Sequence, residues 1–310
     1  MDLGQGQARF LVAVAFLLLT GAAEQRQLPI RESRWLKTPD LVGDLTRQPV
    51  ECIAWPKSAK ARQSVEIGRA LFRSPLLLGG QAARTGLSCA SCHRNGRTNP
   101  HFHFPGISGE PGTADVTASL MSEKRGDDIF NPKPIPDLGG ERKKLKVVGT
   151  PKLRTFVHGL IAEEFTGPEP SPASLDAVVA YVSALSPAAC KGAATVPITL
   201  ASKLSDVDAA VALAATAYAS GDEVTGRALL AAARSTLGAI DERFQLPGLE
   251  PSRQQLKDAS AELFGLQEGH NQVLWAKWKR DWPQRRRALL SAERRSLYNP
   301  DVIRKLLAQS

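Results

Sequence analysis

The sequence predicts an all-α fold in two parts, on three observations. Apolar residues recur at helical spacing over 58–73 and again over 175–185. Between them, 94–149 is crowded with Gly, Pro, Asn and Asp and shows little periodicity, the pattern of long loops. After Ala188 the composition turns to Ala, Leu and charge, and helical periodicity runs to the end. A chain of 310 residues with 43% apolar content is long enough for two domains of ordinary size. They are placed at 24–190 and 191–310, behind a signal peptide at 1–23.

At the N-terminus, Arg9 precedes an unbroken apolar run over 10–19, and Gly21, Ala22 and Ala23 supply the small residues of a cleavage site. The run is shorter than the ~18 residues that span a bilayer, so it reads as a cleaved signal with the mature chain starting near Glu24. No later segment is apolar for long enough to cross a membrane, and the expected location is a bacterial periplasm. Residues 24–56 are punctuated by proline and are expected to wrap the surface. In 58–73, Val65, Ile67, Ala70, Leu71 and Phe72 make the apolar stripe of a helix that stops before Pro75. Leu175, Val178, Val179, Val182 and Leu185 line the helix that closes the first domain, after Ser171-Pro172. Beyond it, 206–219 and 223–240 form a hairpin about Ser220-Gly221-Asp222, and 252–266, 272–290 and 300–307 add three helices.

The sharpest motif is Cys89-Ala90-Ser91-Cys92-His93, reached through a Gly-rich turn. Two thiols separated by two residues on one helical turn each add to one vinyl group of a haem, and the adjacent histidine then presents its ring to the iron. Cys89 and Cys92 are the tethers and His93 is the proximal ligand. A zinc site needs a second pair of ligands, and a thioredoxin-like site needs alternating strands and helices; the sequence has neither pattern. The expected cofactor is one covalent haem c, attached outside the cytoplasm by the cytochrome c maturation machinery. The first domain then reads as a c-type cytochrome domain whose long loops wrap the macrocycle. For the second axial position Met121 is the first candidate, the one methionine left once the signal is removed, with a core-filling role as its alternative. His158, His101, His103 and an open position remain beside it, and His270 is expected at the surface of the second domain. The other two cysteines, Cys52 and Cys190, bracket the motif and are expected to form a disulfide.

The formal charge is +9, and the excess is uneven. From Asn271 onward ten Lys or Arg face three acids, interleaved with Trp275, Trp278 and Trp282, while 191–270 is slightly acidic. Such an end fits nucleic acid, an anionic membrane surface or an acidic protein. Export argues against nucleic acid. The remaining readings are a solvated helix face with its tryptophans packed inward, and a docking face for an acidic redox partner or anionic lipid.

Two stretches resemble the di-haem cytochrome c peroxidase and MauG-like family. Ile67-Gly68-Arg69-Ala70-Leu71-Phe72 with Pro75-Leu76, then Leu87-Ser88-Cys89-Ala90-Ser91-Cys92-His93, is similar to that family's opening helix, turn and haem motif. Thr150-Pro151-Lys152-Leu153-Arg154, Phe156-Val157-His158-Gly159 and Ser174-Leu175-Asp176-Ala177-Val178-Val179 resemble its later segments, without the Asp that follows the histidine there. The resemblance covers roughly 66–185. It implies a cytochrome fold and peroxide chemistry on a pair of haems, but this chain has one attachment motif, and Val182 stands where a family methionine ligand can occur. The motif count therefore favours a single-electron carrier between periplasmic redox proteins. A peroxidase or MauG-like enzyme with an open distal site is the alternative, and a gas or redox sensor a third reading.

Overall fold

Ser58 opens the first long helix: its Oγ accepts a hydrogen bond from Ala61 N at 3.2 Å, and the helix α2 then runs over Ala59–Phe72. A short helix, α1 (Leu41–Thr46), precedes it, in a computed structural model that describes residues 28–117, 120–141, 147, 149–190, 194–269 and 271–309. The signal segment, Glu24 and His270 lie outside the described residues. The architecture is mostly helical with a few two- and three-residue strands, as an all-α reading requires. After α2 come α3 (Pro75–Leu78), α4 (Gly80–Thr85) and α5 (Cys89–Cys92), three single turns where a Gly-rich turn was expected. Among the described residues no α-helix follows until α6 (Thr150–Gly159), which continues as a π-helical turn over Leu160–Glu164. The helix α7 (Pro172–Ala184) starts on Ser171, whose Oγ accepts from Ser174 N at 3.0 Å.

Helices α2 and α7 pack closely because Gly68 faces the α7 backbone. A Cβ at Gly68 would collide with the Ala177 carbonyl and crowd Tyr181 Cβ at 2.9 Å, so the contact admits only hydrogen. Gly68→Ala is expected to cost about 1–3 kcal/mol despite alanine's better helix propensity, because backbone cannot yield as a side chain does. A urea midpoint equal to or above that of the parent would contradict the contact.

The C-terminal helices are α8 (Leu200–Ala219), α9 (Glu223–Arg243), α10 (Glu250–Glu268), α11 (Gln272–Ala292) and α12 (Pro300–Leu307). Thr199, Asp222, Asn271 and Asn299 cap four of them through their side-chain oxygens, and Gly221 turns the α8–α9 hairpin at φ 80°. One hydrophobic cluster runs from Val65 and Phe72 through Leu204 and Val207 to Trp275, Trp278 and Trp282, and α2 and α3 both touch α9. All three tryptophans are buried, and Trp282 Nε1 donates to Asp208 Oδ1 at 2.5 Å, so the aromatic side of the basic end is core. A second cluster of Leu28, Ile30, Leu45, Leu297 and Ile303 seats α12 against α1. The pairing of Arg47–Pro49 with Thr195–Pro197 and the Cys52–Cys190 disulfide, with Cα atoms 4.8 Å apart, bind the early chain to the region after α7.

Where α2, α7 and α8 meet, four charges are partly buried together. Arg69 Nε bonds Glu51 at 2.7 Å, Arg69 and Arg73 share Asp206 at 2.9 and 3.0 Å, and Tyr181 OH donates to Glu51 at 2.6 Å. Burial alone would raise both acids, but the guanidinium groups of Arg73 and Arg69 hold Glu51 and Asp206 below their ordinary values. Depressed carboxyls contribute stability that is present above the unfolded values of 4.5 and 3.8 and is lost as pH falls through the folded ones. The thermal midpoint is therefore expected to drop steeply below about pH 4.5, and less steeply in Glu51→Gln, which starts from a lower midpoint at neutral pH. Parallel pH profiles would remove the network from the account.

Candidate functional site

Cys89 and Cys92 sit at the two ends of a single turn that Ser88 initiates. A reciprocal pair of bonds between the side chains and backbones of Ser88 and Ser91 caps it, with Ser88 N donating to Ser91 Oγ at 3.0 Å. Its far end is held by Asn99, which is buried: Asn99 N donates to the Cys92 carbonyl and Asn99 Nδ2 to the Ser91 carbonyl, both at 2.9 Å. The two thiols are not joined to each other. Each is half-buried. Burial pushes the Cys89 thiol up to about 12 and Cys92 higher still, so neither is primed as a redox thiolate.

His93 follows directly, and its ring is oriented by a carbonyl. Nδ1 lies 3.0 Å from the Pro136 oxygen, which fixes the tautomer with the proton on Nδ1 and leaves Nε2 without a protein partner among the described residues. Burial, against the opposing effects of the Pro136 bond and Asp137, brings the imidazole down to about 4, so the ring is neutral and able to act as a ligand at physiological pH. Phe72 borders it, with ring centroids 6.4 Å apart.

The Pro136 carbonyl is itself well held. Residues 93–98 form a hairpin, His93–Arg94 against Arg97–Thr98, whose two-residue turn is Asn95-Gly96 with φ of 51° and 75°. Positive φ at both positions defines the primed turn that Asn-Gly favours, and a Cβ at Gly96 would also strike Leu185. Against this hairpin lies 135–139: Thr98 Oγ1 donates to the Ile135 carbonyl at 3.0 Å, Gly139 N to the Gly96 carbonyl at 3.0 Å, and Arg97 Nε to Asp137 at 2.8 Å. Arg97 Nη1 also approaches the sulfurs of Cys52 and Cys190, at 3.6 and 3.4 Å. The disulfide thus buttresses the arginine that positions the loop carrying Pro136. Apart from Cys52 and Cys190, expected to be bridged and found so, none of these supporting residues was singled out from sequence, although Asn95-Gly96 is a strong local hairpin signal.

Met121 is 2% exposed and belongs to the main hydrophobic cluster. The chain after it is pinned to the π-helical turn, Ser122 Oγ donating to the Glu163 carbonyl at 3.2 Å and Lys124 Nζ to that of Ala162 at 2.9 Å. The other histidines have different surroundings. His158 Nε2 is 2.8 Å from Glu169 Oε1 near the surface, and His101 Nδ1 is 2.7 Å from Asp44 Oδ2. His103 is half-buried, with its backbone N donating to the Trp35 carbonyl at 2.8 Å.

Two unlinked thiols one turn apart and an adjacent imidazole oriented through Nδ1 are donors that a covalent haem would fit. Among the described residues no group of three His, Cys, Asp or Glu side chains converges to hold a metal. Cys89, Cys92, Phe104, Ala114, Leu138 and Val147 are among the half-buried apolar groups set against the main cluster. No described helix is long and apolar enough to cross a membrane. Comparison with protein-family models, with curated proteins and with solved structures returns no match for this chain.

Proposed function

We propose that this chain is an exported single-haem c-type cytochrome that carries electrons one at a time between periplasmic redox partners. The observation that carries the reading is the His93 ring beside two unlinked thiols on one turn, its Nδ1 directed by the Pro136 carbonyl. In this reading Cys89 and Cys92 would hold the macrocycle by thioether bonds, and His93, through Nε2, and Met121 would be the protein ligands to its iron. A bound haem supplies a one-electron couple, and thioether ligation sets that couple high. The chain's own residues keep the imidazole neutral and oriented, and burial keeps both thiols protonated. The pairing of His158 with Glu169 and of His101 with Asp44 supports Met121 over either histidine. The family resemblance stands as part of the proposal, as half of a di-haem architecture.

Docking belongs to the basic C-terminal half in this account. Lys279, Arg287 and Arg294 are exposed, whereas Lys277 and Arg285 are tied to Glu262 and Arg286 to Asp208. Charges at the rim of an interface act on encounter rate and its salt dependence, which suits a transient, acidic electron-transfer partner.

Optical spectra in both oxidation states, with and without carbon monoxide, test the reading. A near-infrared sulfur-to-iron band and no response to carbon monoxide support Met121 and electron transfer. A high-spin spectrum that shifts with carbon monoxide would replace it with the peroxidase or MauG-like alternative.

A further inference from the structure

A cavity of about 360 Å³ lies between the motif segment and the C-terminal helices, walled in part by Arg73, Arg94, Lys203 and Arg243 and reaching Arg31 and Leu76, which are half-exposed. Its carboxylates are already engaged. Glu242 pairs with Arg31 at 2.8 Å, Glu32 with Arg94 at 3.3 Å, and Asp206 with Arg73 at 3.0 Å. Two cations remain without a carboxylate within 4 Å among the described residues. Arg243, 5% exposed on α9, donates to the carbonyls of Leu297 and Leu45 at 2.9 and 2.7 Å and lies 4.9 Å from the Tyr298 ring. The side chain of Lys203, half-buried on α8, makes no hydrogen bond or ion pair within 4 Å among the described residues. Burial, reinforced by Arg73, brings its ammonium down to about 8.

Neither cation has an ion-pair partner within 4 Å among the described residues, and although Asp206 and Glu32 act on Lys203 from farther off, the two charges, one buried and one half-buried, face one hollow from separate helices. The hollow has room for ~12 waters at ~30 Å³ each, more than one inorganic oxyanion fills and within the lower range of small-molecule pockets. Ser91, Asn95 and Thr236 add hydrogen-bonding groups to the wall. We propose that this cavity binds a small organic polyanion of the di- or tricarboxylate class, one anionic group compensating Lys203 and another Arg243. The site uses none of Cys89, Cys92 and His93, so it stands or falls separately from the haem reading.

The test is calorimetric titration of the mature full-length protein with citrate and succinate, set against inorganic phosphate and chloride at matched ionic strength. One saturable site for a carboxylate is expected, weakened about tenfold or more by Lys203→Gln, which removes a charge that makes no direct ion pair. Gly238→Leu gives a second, charge-neutral probe. Gly238 lines the cavity within α9 and a Cβ there meets nothing within 4 Å, so leucine is expected to fill the space and abolish binding while the ligand-free thermal midpoint is held. No saturable carboxylate binding, phosphate binding in its place, or carboxylate binding unchanged in both variants would each overturn the proposal.

Discussion

Replacing both motif thiols, Cys89→Ser with Cys92→Ser, is expected to abolish covalently held haem and with it most of the folded protein. Each single replacement should leave one thioether and a reduced yield. The reason is structural as well as chemical. Phe104, Ala114, Leu138 and Val147 are only half-buried, and 94–141 holds no described helix to bury them. In the proposed reading an apolar macrocycle would cover these groups and add to the core that Phe102, Ile107, Met121 and Ile135 already form in this segment. Denaturing gels stained for haem, read beside a thermal melt of the soluble fraction, check both parts. A double variant that folds with the parent's midpoint would show that the motif is not needed for folding.

Removing the disulfide is the second large effect. Cys52 and Cys190 are 138 residues apart, and the chain-entropy estimate for so long a loop is about 5 kcal/mol, a value that measured disulfides often fall below. Here the bridge also lies beside Arg97, whose contact with Asp137 holds the loop that presents the Pro136 carbonyl to His93. Cys52→Ala with Cys190→Ala is therefore expected to lower the urea midpoint by several kcal/mol in free energy and to loosen the imidazole. A loss under about 1 kcal/mol would mean that the clasp is redundant with the strand pair at 47–49 and 195–197.

The helices that were legible in the sequence have clear stripes and caps. The expected 58–73 is observed as Ala59–Phe72, and 300–307 as Pro300–Leu307. The helix expected at 206–219 begins at Leu200, because Ala201, Ser202, Lys203 and Ser205 dilute the stripe that Leu200, Leu204 and Val207 carry on. The helix α6 went unassigned, although Pro151 in its first turn is a start signal of the kind Pro172 gives; Leu153, Val157 and Ile161, four apart and all buried, were its stripe.

For the site, the cysteines and histidine are contiguous and were plain. Their support was not: His93 and Pro136 are 43 residues apart, and the connection passes through loops without periodicity. The same holds for the buried charges, where Arg69 and Asp206 meet across 137 residues. Contacts of that span are set by tertiary packing, to which residue spacing is blind.

The most direct test of the central claim is the intact mass of the protein after export in cells that attach haem, measured before and after extraction with acidified acetone. The account predicts the mature chain plus one haem, with the mass unchanged by extraction. A chain at its bare mass, a haem that washes out, or a mass two protons lower from a Cys89–Cys92 disulfide would contradict it.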